Sequence, residues 1–186
     1  MRLLLITALD VWSLDQGKGA PTLERTLRAY GEAGHQVDVV LPDVGANHFY
    51  RRADARGEAP ESRPQISNVR FHAFHVPGLR DLPLPSLPAP VTAVDQKLRF
   101  ALAFPWLAAA RAERLLRESP APFDVLYGYE VHGVLAARLL RRRGVRLPLV
   151  ARFQGTVMYP ALKDTMLYYR RYEEALASRR PPTSMS

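Results

Sequence analysis

The chain has 186 residues, 47% hydrophobic and 24% charged, the size and balance of one folded domain rather than of a disordered chain. It has no cysteine, which excludes disulfides, thiol catalysis and zinc–thiolate sites and fits a cytoplasmic protein. Its formal net charge of +8 is almost all arginine, the only lysines being Lys18, Lys97 and Lys163; arginine forks suit phosphates and carboxylates, so charge alone leaves sugar nucleotides, anionic lipids and nucleic acids open.

The opening run "RLLLITA" (2–8) is continuously apolar, the pattern of a strand buried on both faces. Asp10 follows at once and no A-x-A cleavage site appears, so this start reads as a strand and not as a secretory signal. A polar loop carries Gly17, Lys18 and Gly19. From Thr22, a plausible N-cap, "TLERTLRAYGEAGH" places Leu23, Leu27 and Tyr30 on one helical face, with Gly34 as the stop. "QVDVVLP" (36–42) is the next strand, and residues 43–68 have the composition of a surface loop.

"NVRFHAFHV" (68–76) alternates as a strand, which puts His72 and His75 on opposite faces and argues against a shared metal. A proline-rich connection follows. Residues 93–117 return to a helical pattern that Pro105 kinks or divides. Their apolar residues, interspersed with Arg99, Arg111, Arg114 and Arg117, suit packing against a sheet; lying on an anionic membrane surface is the second reading.

"FDVLYGY" (123–129) is a strand and "EVHGVLAARLLRRRG" a helix ended by Gly144. The "RRR" at 141–143 occupies that helix's last turn, where cations complement the dipole, so nucleic acid is not expected as a partner. "PLVARFQG" (148–155) is the last clear strand and "LKDTMLYYRRYEEALAS" the last helix. No uncharged apolar run reaches the ~18 residues of a membrane span. Strands separated by helices predict an α/β fold: a Rossmann-like parallel sheet with helices on both faces.

Such sheets bind ligands at the carboxyl ends of their strands, which directs attention to three places. The loop with Gly17, Lys18 and Gly19 either lets backbone amides approach a phosphate or merely supplies flexible backbone. It matches neither the Walker A pattern nor G-x-G-x-x-G, because Gly19 follows Lys18 and Thr22 stands where a third glycine belongs. In "YGYEVHG", Glu130 is a candidate base, electrostatic stabiliser or hydroxyl acceptor, or simply a carboxylate at a helix start. Tyr129 and His132 flank it, the histidine reading more as a capping or packing residue than as an acid or base. At the end of the fifth strand, Gln154, Gly155 and Thr156 present an amide, a close-approach glycine and a hydroxyl suited to a polyol, or a polar strand ending satisfied by its neighbours.

The first strand with its glycine loop, "GHQVDVVLP", "FDVLYGYEVHGVLAARLLRRRGV" and "PLVARFQGT" together resemble the N-terminal domain of family-4 retaining glycosyltransferases of the GT-B fold. The resemblance spans residues 1–178 and implies the acceptor-side half of a two-domain enzyme that moves a sugar from a nucleotide-sugar donor, a substrate rather than a bound cofactor, with no metal. It implies a sugar acceptor, such as a lipid or polysaccharide, against this domain, with donor phosphates near Gly17 and Gly19. The E-x7-E donor domain would be a separate half. Tyr129 and Gln154 stand where that family often has histidines, and an amide cannot exchange a proton near neutral pH, so histidine-dependent roles are not carried over. The tail 179–186, "RRPPTSMS", departs where relatives enter another strand; a truncated or frameshifted end and an inactive isolated chain are the expectation. Two other classes stay open: a dinucleotide-binding oxidoreductase domain, on the fold and Asp43, and a non-enzymatic membrane-peripheral module, on the basic amphipathic segment.

Overall fold

A computed structural model describes residues 1–9, 21–43, 65–79, 91, 94–95 and 98–153. The loop with Gly17, Lys18 and Gly19, the segment from Gln154, Gly155 and Thr156 through the expected last helix, and the tail 179–186 lie outside the described residues. The chain divides into Met1–Arg152 and Phe153–Ser186, and the sheet and helices below belong to the first unit.

Five apolar runs form strands β1 (Arg2–Thr7), β2 (Gln36–Pro42), β3 (Val69–Phe74), β4 (Val125–Tyr129) and β5 (Leu149–Arg152). They make one parallel sheet in the order β3-β2-β1-β4-β5. The continuous runs take the centre: Leu3 to Ile6, Val37, Val39 to Leu41 and Leu126 are buried, whereas the alternating β3 lies at the edge and stays partly exposed.

Among the described residues three helices cover the two faces: α1 (Pro21–Glu32), α2 (Phe104–Glu118) and α3 (Glu130–Arg142). Leu23 and Leu27 of α1 pack with Leu3, Leu5, Val37, Val39 and Tyr127 on one side. Phe104, Ala108 and Ala112 of α2, with Ala136 and Leu140 of α3, pack with Leu4, Ile6, Val40 and Leu126 on the other. Strand residues of odd and even parity therefore feed separate halves of the core, as the pleat requires. No described helix is long and apolar enough to cross a membrane.

The helix boundaries follow backbone chemistry. α1 begins at Pro21, one residue earlier than its expected cap, so Thr22 sits inside the first turn; proline suits that turn because its missing N–H would have no intrahelical partner. Gly34 (φ 77°) and Gly144 (φ 96°) end α1 and α3 in the left-handed region. The expected division at Pro105 is found: Arg99–Ala103 winds as a π-turn, with the Phe104 amide donating to the Arg99 carbonyl, and Pro105 sits in the first turn of the α-helical part. A proline cannot supply the next i→i−4 donor, so the change of winding falls where that bond is missing.

Candidate functional site

The strand order reverses direction between β1 and β4, and in doubly wound sheets the crevice outside the carboxyl ends at this switch point is where ligands sit. Register places Thr7 of β1 opposite Tyr129 of β4, and Tyr129 opposite Arg152 of β5. Helix α3 starts at the next residue, Glu130, with no intervening loop. A Cβ on Gly133 would come within 2.1 Å of the Ile6 carbonyl oxygen, so only glycine lets the first turn of α3 press onto the end of β1. Gly128 similarly faces the Val134 backbone, at 2.7 Å from such a Cβ.

This direct strand-to-helix turn is strained at Glu130, which takes φ 59° although it is not glycine. Glutamate has no short side chain to support the left-handed region, and holding it there costs about 1–3 kcal/mol. Its carboxylate belongs to a residue only 2% exposed. A carboxylate in such surroundings acts strongly on any charge brought beside it, because water screens it poorly.

The other predicted residues of this turn face in different directions. Tyr129 is fully buried on the α1 side, with the Arg152 guanidinium 5.7 Å from its ring centroid. His132 is buried with its ring edge-on to Phe100 and Phe104, at centroid distances of 6.3 and 6.5 Å. Burial pushes its pKa down to about 4, so the imidazole is neutral at pH 7 and sits in the environment of a packing histidine.

Arg152 and Glu24 of this edge escape a reading of the sequence. Arg152 donates from Nη1 to Thr26 Oγ1 at 2.9 Å and is hydrogen-bonded to Tyr127, which raises its pKa further above the ordinary arginine value. Tyr30 packs edge-on to Tyr127 at 6.3 Å, and burial raises its pKa. Arg152 thus joins α1 to β4 through a cluster of tyrosines. The signal was its place in the strand, level with Tyr129, but pairing across strands is not visible from one strand alone. Glu24, in the first turn of α1, is buried; its Oε1 accepts from Arg28 Nε at 3.0 Å and Nη2 at 2.8 Å, while Oε2 has no hydrogen-bond partner among the described residues. An Arg at i+4 from a Glu reads as an ordinary surface pair, which hid the burial.

His72 and His75 each serve a different carboxylate, Nε2 to Asp38 Oδ1 at 2.7 Å and Nδ1 to Asp43 Oδ2 at 3.0 Å. No three metal-ligating side chains come together among the described residues.

No family model matches the chain, and no curated protein matches it. Among solved structures it is similar to the crystal structure of CalG4, the calicheamicin glycosyltransferase, at 16% identity and a TM-score of 0.46. The match covers 100% of this chain and 39% of that one, so the chain spans well under half of that protein's length.

Proposed function

We propose that this domain is the acceptor-side half of a family-4 retaining glycosyltransferase, which moves a sugar from a nucleotide-sugar donor to an acceptor hydroxyl. The observation that carries this reading is Glu130: a buried carboxylate in a strained left-handed conformation, at the carboxyl end of a central strand beside the switch point. Strain of this kind concentrates at sites where geometry serves a ligand. The ordered segments that resemble that family, from "GHQVDVVLP" to "PLVARFQGT", supply the second line of support.

In this reading the bond from the anomeric carbon to the nucleotide's phosphate oxygen breaks, and the phosphate keeps the electron pair. The acceptor oxygen then bonds to that carbon, on the face the donor occupied, and its proton passes to the departing phosphate oxygen. Glu130 stabilises the positive charge that builds on the sugar ring, a role that needs a fixed negative charge in a poorly screened site. On the resemblance alone, Gly17, Lys18 and Gly19 are assigned to the donor phosphates and Gln154, Gly155 and Thr156 to the acceptor, while the buried Tyr129 and His132 buttress the turn. Glu24 Oε2 is a further acceptor for a ligand hydroxyl. Turnover needs donor and acceptor held together, so the chain alone is expected to bind without reacting.

Saturation-transfer NMR on the purified chain tests this, using nucleotide sugars and simple glycosides as probes. Weak glycoside binding that Glu130→Gln diminishes is the expected result. Sugar transfer or nucleotide-sugar hydrolysis by the chain alone would overturn the inactivity, and tight NAD binding without glycoside binding would overturn the glycosyltransferase reading itself.

A further inference from the structure

The segment before and within α2 is apolar on two opposite sides, and the sheet uses only one of them. Phe100, Phe104, Ala108 and Ala112 are fully buried against the sheet. On the other side Val94, Leu98, Leu102 and Trp106 recur every four residues and are 56, 53, 54 and 58% exposed. The same row continues through exposed Ala110 to exposed Arg114. Two shallow hollows, of about 440 and 580 Å³, run along this row, bounded by Leu79 and Val91 at one end and Leu107 at the other. Four bulky apolar side chains in one exposed row exceed what scattered surface residues explain, and such a face marks a docking surface.

The charges around the row indicate what docks there. The Arg143 guanidinium, from the C-terminal end of α3, lies 5.3 Å from the centroid of the Trp106 ring and also reaches Glu113 Oε2 at 3.0 Å. Arg143 therefore brings the exposed end of α3, with Arg141 and Arg142, alongside the Trp106 end of the row. Arg114 and Arg117 lie exposed on the following turns of α2. The surface is an aliphatic row ending in a tryptophan and bordered by arginines, on a chain of net charge +8. Aliphatic side chains favour the acyl boundary, tryptophan the headgroup level and arginines the lipid phosphates, so the order of residues along the row fits a bilayer of negative surface charge.

We propose that this face docks on an anionic membrane surface, with Leu98, Leu102 and Trp106 entering the headgroup–acyl boundary and the arginines at the ends of α2 and α3 holding lipid phosphates. This is independent of the sugar-transfer reading, since it uses the amphipathic row and no residue of the switch-point crevice.

The full chain carrying Trp12→Phe leaves Trp106 as the only tryptophan reporter. Its emission is followed on adding vesicles of phosphatidylcholine alone or with one quarter phosphatidylglycerol. Expected are a blue shift and co-sedimentation with the anionic vesicles, quenching by brominated acyl chains, and weakening by salt. Leu98→Ser with Leu102→Ser, both exposed and outside the core, should lower the vesicle affinity at least tenfold with an unchanged circular dichroism spectrum; Arg141→Gln with Arg142→Gln should abolish most of the preference for anionic vesicles. No shift with anionic vesicles, or binding that the leucine pair leaves unchanged, would overturn the proposal. A blue shift that grows with protein concentration without vesicles would overturn it too, by assigning the row to a second copy of the chain.

Discussion

The two ends of this parallel sheet solve the same problem, polar groups beside a buried core, in opposite ways. At the amino end, Asp38 of β2 is buried and surrounded by partners: Arg2 at 3.0 Å, His72 at 2.7 Å and Arg70 at 3.3 Å. Arg2 also donates to the Ala121 carbonyl at 2.7 Å and to Ser119, and its guanidinium lies 4.3 Å from the Phe123 ring centroid. At the carboxyl end, Glu130 is buried in a strained backbone conformation and Glu24 keeps an oxygen without a partner among the described residues. One end is polar chemistry spent on holding strands and a connection together. The other holds a glutamate in a backbone conformation that folding alone does not favour, and that strain is the observation behind the site proposed at the carboxyl end.

The strongest way to break the comparison is to remove the hub of the amino end. Burial alone would raise the Asp38 carboxyl, but the hydrogen bonds from His72 and Arg2 overcome it and hold its pKa below the ordinary value. Asp38→Ala leaves Arg2 largely buried without its counter-charge, and such a loss costs about 3–5 kcal/mol. Urea unfolding should show the midpoint falling by that equivalent. Arg70→Ala, which removes an exposed partner, should change it by less than about 1 kcal/mol; equal losses from both would mean that the network is not the hub described.

At the carboxyl end the largest effect on folding should come from Gly133→Ala. The added methyl meets the Ile6 carbonyl at 2.1 Å, so α3 must move off β1, and overpacking of this kind costs about 1–3 kcal/mol. Thermal melts measure it. Gly144→Ala, whose Cβ meets nothing within 4 Å, separates this steric effect from the backbone strain of a positive φ.

How much of this contrast could be read from the sequence differs between the two ends. The strands, their order along the chain and the helix stops are visible because apolar runs and glycines announce them locally. Asp38 is visible only as an interruption in "QVDVVLP"; its partners come from strands β1 and β3, and nothing local in "RLLLITA" or "NVRFHAFHV" says which residues stand beside it. Glu130 is legible as a strand-end carboxylate, but its left-handed conformation is not, since glutamate carries no preference for it. The outer row of Val94, Leu98, Leu102 and Trp106 was hidden for another reason. The basic amphipathic character of its segment is legible, but which side stays exposed is not, because the π-turn shifts the register on which a 3.6-residue periodicity depends.

A smaller, pH-dependent effect belongs to the buried histidine of the carboxyl end. His132 has its pKa lowered to about 4 by burial, below its ordinary value of 6.5. Between these values the unfolded chain binds a proton that the folded chain refuses, so this term of stability is complete above about pH 6.5 and is lost as pH falls toward 4. The slope is at most about 1.4 kcal/mol per pH unit. His132→Phe, which keeps a ring against Phe100 and Phe104, should remove that slope when urea midpoints at pH 7 and pH 5 are compared. An unchanged slope would place the acid sensitivity in other groups.

The smallest expected change is the most telling, because its sign decides whether the carboxyl end stores strain. Glu130→Gly relieves a φ of 59° that glycine adopts freely, and should raise stability by up to about 1 kcal/mol despite the glycine's greater freedom in the unfolded chain. Glu130→Asn, with a side chain that tolerates the left-handed region, should fall between the two. Glu130→Gln keeps the strained backbone and removes only the charge, so it should leave stability near that of the parent while diminishing glycoside binding. Proteins keep destabilising geometry where a ligand needs it. A loss of stability in Glu130→Gly would mean that the side chain's own contacts maintain the turn, and the carboxyl end would then differ from the amino end in arrangement but not in purpose.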